Sequence, residues 1–202
     1  MEERNSRIAV IADAHIGGPG GPAEPLVEQL ADLASGEPGR LILMGDLFHV
    51  WVGQRSYETK EIRQVVEALS DLRRAGWRLD YIEGNRDFFI AEGPYREVFD
   101  TVSDEVSFRV GDRSYLAVHG DGLNAEDRMY RFWRWLSKSP PSRFFMLHLP
   151  AGLAQRLVHV TEGQLSKTNF KHKHQIPREV ISRYAVRRLA QDPDVLLLGH
   201  FH

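Results

Sequence analysis

The sequence predicts an α/β layered domain, and two observations carry that prediction. Short β-branched runs alternate with longer segments whose apolar residues recur at helical spacing, so the chain begins strand, helix, strand, helix, strand. Each run also ends in polar residues, at the carboxyl ends of strands where α/β domains gather their ligands. The chain has 202 residues, 42% hydrophobic and 27% charged, which suits a single domain spanning 1–202 with a sizeable core.

Arg7 to Ala12 (RIAVIA) is a strand that exits at Asp13, and Arg40 to Met44 (RLILM) is a second that exits at Gly45-Asp46. Between them, Pro25 to Ser35 is a helix with Leu26, Val27, Leu30, Leu33 and Ala34 on one face and Gly36 at its end. Glu58 to Ala75 repeats the pattern with Ile62, Val65, Val66, Leu69 and Leu72, and stops at Gly76. The strand Arg78 to Ile82 leads into YIEGNRDFFI, where Gly84, Asn85, Arg86 and Asp87 follow an apolar run. Read by itself that stretch is a turn, because Gly and Asn accept positive φ and Asn and Asp side chains satisfy nearby backbone groups. Thr101 to Val110 and Ser114 to Val118 read as the arms of a hairpin around Gly111-Asp112, which makes the sheet mixed. Helices are expected over Asn124 to Ser137, Arg143 to Val160 and Arg178 to Ala190, and a last strand, Val195 to Leu198, ends at Gly199-His200-Phe201-His202.

With no cysteine in the chain, disulfides and thiolate metal sites are excluded, and any metal must be held by His, Asp, Glu, Asn or water. The N-terminal stretch lacks the basic start and long apolar region of a secretory signal, and no apolar run reaches the ~18 residues of a spanning helix. Net charge is only -2, yet Arg128 to Arg178 holds ten Lys or Arg against one acid, Glu162. That asymmetry is expected when one face meets an anionic partner, although a solvated basic face has the same composition. RFWRWLSKSPPSRFFMLHLPAGLAQRLVHV, within that segment, mixes aromatic and aliphatic residues with Arg and Lys and has no acid. Such a stretch suits an interfacial helix pair on anionic lipid, or an ordinary amphipathic hairpin packed on the domain.

The strand exits collect Asp13, His15, Asp46, Asn85, His119, His200 and His202. Carboxylate, imidazole and amide oxygen without sulfur suit Mn, Fe or Zn, and a two-oxygen carboxylate such as Asp46 can bridge two ions ~3.5–4 Å apart.

In order, the blocks D-x-H, G-D, G-N-x-D, H-G and G-H-x-H resemble the motif set of the calcineurin-like metallophosphoesterases over nearly the whole chain. That resemblance implies an αββα four-layer sandwich with a helical hairpin insertion over 124–175. It also implies two divalent cations, Mn2+ in first place and Fe or Zn otherwise. Asp13, His15 and His202 would hold one, Asn85, His119 and His200 the other, and Asp46 would bridge them. The activity implied is hydrolysis of a phosphate ester or anhydride by water activated between the metals.

Most members of that superfamily carry His where this chain has Arg86. Arginine cannot act as a general acid near neutral pH but can grip phosphate oxygens bidentately, a trade that suits a phosphate leaving group and hence a pyrophosphate bond. GDLFHVWVG, GNRDFFI and HGDGLNAEDRMYRFWRW are similar to blocks of the UDP-2,3-diacylglucosamine pyrophosphatases, a branch of the superfamily in the lipid A pathway. The likeness implies cleavage of UDP-2,3-diacylglucosamine to UMP and 2,3-diacylglucosamine 1-phosphate. It makes Arg86 and Asp87 the catalytic candidates, and Trp51, Asn85, Arg86, Asp121, Asp127, Tyr130, Ser166 and Lys173 the substrate-binding ones. The partners implied are the acylated UDP-sugar and an anionic membrane surface, without nucleic acid, in a cytoplasmic protein held peripherally at the inner face of the cytoplasmic membrane.

Departures from the branch are specific. Phe170 stands where its S-x-x-x-N-x-x-K stretch has Asn, with Asn169 one place early; His49 replaces a frequent Glu, and Gln54 an acid. Relatives continue past G-H-x-H with further strands, so either a longer chain or a naturally short variant is expected. Two other functions fit the same residues: a phosphodiesterase or nuclease whose basic segment meets nucleic acid, and a non-catalytic scaffold.

Overall fold

The computed structural model describes residues 7–17, 21–123, 128–150, 152–154, 156, 177–191 and 193–201, with only the backbone for 128–131 and 133. Of the insertion expected over 124–175, the described part is therefore two helices and a few residues beyond them.

Strands β1 (Ile8–Ile11), β2 (Arg40–Leu43), β4 (Arg78–Ile82) and β6 (Thr101–Ser103) form an all-parallel sheet in the order β1-β2-β4-β6. Helices α1 (Glu24–Ala34) and α2 (Lys60–Arg74) make the crossovers and cover one face. The period-2 alternation of the strands divides two cores. Leu41, Leu43, Leu79 and Tyr81 pack with Leu26 and Leu30 of α1 and with Ile62, Val65, Leu69 and Leu72 of α2. Ile42, Met44 and Ile82 face the other way and pack with Val106, Phe108 and Ala117 of a second sheet.

That second sheet contains β7 (Glu105–Val110), β8 (Arg113–Val118) and β9 (Val195–Leu198), with β7 and β8 antiparallel and β8 and β9 parallel. The segment 101–110, one hairpin arm by its sequence, is two strands in the structure. Its first residues pair with β4 as β6, and after a bend at Asp104 the rest enters the second sheet as β7. Anchors at both ends of β6 explain the break: Asp100 Oδ2 accepts the Leu79 N–H at 2.8 Å, and the Ser103 carbonyl accepts the Glu83 N–H at 3.1 Å. So β7 and β8 belong to a second sheet, itself mixed, and not to the parallel one.

Two further strands, β3 (Trp51–Val52) and β5 (Asp87–Phe88), pair in parallel and lock the loops after β2 and β4 together. Helix α3 (Arg128–Ser137) and helix α4 (Pro140–His148) follow β8, and α5 (Arg178–Leu189) precedes β9. The expected start of α4 at Arg143 moves to Pro140. Ser139 caps the helix by accepting the Ser142 N–H, and prolines in the first turn sacrifice no hydrogen bond. It stops at His148 because Leu149, ahead of Pro150, is held extended. Among the described residues no helix is long and apolar enough to cross a membrane.

Candidate metal centre

Parallel registration brings the strand exits to one edge. Ile11 lies opposite Leu43, Leu43 opposite Tyr81, and Val118 opposite Leu198, so the residues that follow those strands emerge side by side. The chain then turns sharply: Asp13, His15, Asp46 and His200 all adopt left-handed backbone, with φ of 50°, 48°, 51° and 65°. Side chains with a Cβ resist that region at roughly 1–3 kcal/mol each, and such strain gathers where a site demands it. The loops are held by mutual backbone bonds, Asp13 N–H to the Gly45 carbonyl at 3.2 Å and His15 N–H to the Asp46 carbonyl at 3.0 Å.

Two groups of potential ligand atoms result, each within 4.8 Å: Asp13 with His15 and Asp46, and Asp46 with His119 and His200. Asp46 belongs to both. His119 donates Nδ1–H to the Met44 carbonyl at 2.8 Å, which leaves the Nε2 lone pair pointing into the site, 3.1 Å from Asn85 Oδ1. Asp13 Oδ2 accepts the His200 N–H at 2.8 Å, while its buried Oδ1 has no hydrogen-bond partner among the described residues. Converging lone pairs and an orphaned carboxylate oxygen fit a pair of divalent cations: buried acceptors without donors are costly unless a cation satisfies them.

Glycine is obligatory beside this cluster. A Cβ on Gly84 would lie 2.3 Å from Asp46 Oδ1 and 2.9 Å from His119 Cε1, so the loops of Asp46, Asn85 and His119 can meet only around a bare backbone.

Asp87 braces the two acidic loops from behind. Fully buried, its Oδ2 accepts the N–H of Gly84 at 2.7 Å and of Asp46 at 3.0 Å. Burial, then the charge of Asp87, pushes the Asp46 carboxyl up to about 7. Burial likewise raises Asp87. Two carboxylates held this deep need a compensating charge, which a bound dication supplies. Arg86 contributes part of it: its N–H donates to Asp46 Oδ1 at 2.8 Å and its Nε lies 3.4 Å from Asp46 Oδ2. Its Nη1 meets the His49 ring at 3.1 Å and donates to the His49 carbonyl at 3.2 Å, and the side chain is buried.

Three placements differ from what the sequence suggests or were not anticipated by it. Trp51, read as a pocket residue, is wholly buried and packs its indole against Phe48, Tyr81, Tyr95 and Phe99 at 5.0–6.1 Å, which makes it core. His49, read only as a departure from a family pattern, is the partner of Arg86. Lys138 reaches the Gly84 carbonyl at 3.0 Å, a contact with no motif behind it. Asp121 is buried beside Arg134, with Nε to Oδ2 at 2.5 Å. Tyr130 lies in α3, described by backbone alone, and Asp127, Ser166, Lys173 and His202 lie outside the described residues.

A carboxylate shared by two groups of oxygen and imidazole donors, at the carboxyl edge of parallel strands, defines a metal-dependent hydrolase of phosphate esters or anhydrides. The chain belongs to the calcineurin-like phosphoesterase family, whose model matches residues 6–202. Among its relatives, a UDP-2,3-diacylglucosamine hydrolase of Chromohalobacter salexigens is 29% identical over 163 residues, covering 80% of this chain and 66% of that protein. A hydrolase of the same name from Pseudomonas syringae pv. syringae is 26% identical, covering 96% and 79%. One from Aeromonas hydrophila is 30% identical, covering 84% and 71%.

Proposed function

We propose that this chain cleaves the pyrophosphate bond of UDP-2,3-diacylglucosamine, releasing UMP and 2,3-diacylglucosamine 1-phosphate. The observation that carries the choice of a pyrophosphate is Arg86, fixed by Asp46 and His49 at the edge of both ligand groups. A guanidinium in that place stabilises charge on phosphoryl oxygens and cannot protonate a leaving group, and a phosphate leaving group needs no proton. The names carried by the relatives agree with this substrate.

Two divalent cations, Mn2+ in the first instance, would supply the activated water and offset the charge that grows on phosphorus-bound oxygen. Asp13, His15 and Asp46 would hold one, and Asp46, Asn85, His119 and His200 the other, with His202 assigned to the first. Asp87 holds the loops of Asp46 and Asn85 in register, and Arg86 takes the phosphoryl oxygens through the guanidinium edge not used by Asp46 and His49. Asp121, Asp127, Tyr130, Ser166 and Lys173 contribute to the remaining substrate contacts.

The surface beyond this edge suits an acylated substrate drawn from a membrane. On α3 and α4, Phe132, Trp135, Phe144 and Phe145 are half or more exposed, with Arg143 beside the last two in sequence. Aromatic side chains presented with cations are the composition of a peripheral contact with anionic lipid.

The test is an assay of purified protein with Mn2+ against UDP-2,3-diacylglucosamine, single-stranded nucleic acid and a chromogenic diester. UMP release, abolished by Asp46→Ala and reduced at least ~10²-fold by Arg86→Ala, is expected. Nuclease activity without UMP release would overturn the substrate, and inactivity on every substrate by metal-loaded protein would overturn the enzyme.

A further inference from the structure

Helix α3 does more than carry exposed aromatics. From the residue just past its last turn, Lys138 donates an Nζ–H to the Gly84 carbonyl at 3.0 Å and lies 3.8 Å from Glu83 Oε2. One turn earlier, Arg134 Nε meets Asp121 Oδ2 at 2.5 Å. The two side chains leave the same face, since the Lys138 N–H still bonds to the Arg134 carbonyl at 3.1 Å in helical fashion. They grasp two different loops. Gly84 is the residue before Asn85, and Asp121 stands two residues after His119. Those loops meet in the site, where His119 Nε2 lies 3.1 Å from Asn85 Oδ1.

These contacts are sheltered enough to matter. The Lys138 and Glu83 side chains are 19% and 17% exposed, and those of Arg134 and Asp121 33% and 5%, so both pairs are more sheltered than the open-surface pairs that contribute little. Both partners of Lys138 are tied further into the site. Gly84 gives its N–H to Asp87 at 2.7 Å, so the peptides on both sides of it are fixed, one by Lys138 and one by Asp87. Glu83 spends its other oxygen on the N–H groups of Ile90 and Ala91, at 2.8 and 3.2 Å, which closes the loop that carries Asn85.

We infer that α3 is a strut for the half of the metal centre that contains Asn85 and His119, with Lys138 and Arg134 as positioning residues, so that docking of the helical hairpin and metal binding in that half are coupled. The inference rests on the metal-centre reading and not on the choice of substrate. By linkage the coupling runs both ways: a metal held by Asn85 and His119 orders α3, and a displaced α3 loosens that metal.

The experiment uses Mn2+ alone. Calorimetric titration of wild type, Lys138→Met and Arg134→Met, each checked for its melting transition, is compared with Lys138→Arg as the conservative replacement. One of the two binding steps is expected to weaken about 10- to 100-fold in both Met variants, as when a ligand loses its outer support. The other step should hold, and Lys138→Arg should recover most of the loss. Amide exchange across α3 should slow on Mn2+ addition in wild type and not in Lys138→Met. Folded Met variants with both steps unchanged, or exchange in wild-type α3 indifferent to Mn2+, overturn the coupling. The two Met variants are read separately, so misfolding of one leaves the other decisive. Because no nucleotide is present, failure here is distinct from failure of the pyrophosphatase assay.

Discussion

At the scale of single residues, the centre depends on what is absent from Gly84 as much as on the ligands. A methyl group there falls 2.3 Å from Asp46 Oδ1 and 2.8 Å from the Asp46 nitrogen, and both atoms are tethered, the oxygen by the Arg86 N–H and the nitrogen by Asp87 Oδ2. Gly84→Ala is therefore expected to lower Mn2+ affinity more than about tenfold by calorimetry, with the folded state retained. Wild-type Mn2+ affinity in the variant would contradict the packing described. Ligand candidates were legible in the sequence because each residue type bears its own chemistry at a strand exit. Trp51 was not, since complete burial belongs to the four aromatic neighbours and not to the tryptophan. The pairing of Arg86 with His49, 37 residues away in sequence, carries no local signal either.

At the scale of elements, legibility followed length. Helix α2 shows its period over four turns, buries Ile62, Val65, Leu69 and Leu72, and is closed by Gly76 at φ 94°. Its start is set by Thr59, whose hydroxyl accepts the Ile62 N–H at 3.3 Å. Thr59→Ala should cost about 1 kcal/mol in urea unfolding and leave Mn2+ binding untouched, because its hydroxyl bonds within its own helix and not to a loop that carries a ligand candidate. A loss of metal affinity in that variant would show that α2 bears on the site directly. β3 and β5 span two residues each, too short for any period, yet they align Trp51 with Asp87 and so join the Asp46 loop to the Asn85 loop. The split of 101–110 was equally hidden. Both halves have strand composition, and only the hydrogen bonds at Asp100 and Ser103 decide which sheet each half joins.

At the scale of the whole molecule, the fold buries the carboxyls of Asp46 and Asp87 at the edge of two facing sheets, and that fixes how pH, metal and stability are linked. The Asp46 carboxyl stands at about 7 in the folded protein without metal, against 3.8 for the unfolded chain, chiefly through burial and next through Asp87. A carboxyl whose pKa is raised by folding favours the folded state while protonated. That contribution is fully present below 3.8 and is lost as pH rises through about 7, because the unfolded chain binds fewer protons in between. Metal binding has the opposite dependence, since a cation must displace the proton, and affinity should rise by up to about tenfold per pH unit until the carboxyl is ionised. The measurement is the melting temperature with and without excess Mn2+ between about pH 5 and about pH 8.5, in wild type and in Asp46→Asn as the non-titrating reference. Relative to Asp46→Asn, metal-free wild type should lose stability toward alkaline pH, and its Mn2+ increment should grow to about pH 7 and then level. A Mn2+ increment that stays flat across that range would mean the buried carboxyl gives up its proton without opposing the metal, and the charge balance drawn here around Asp46 would be wrong.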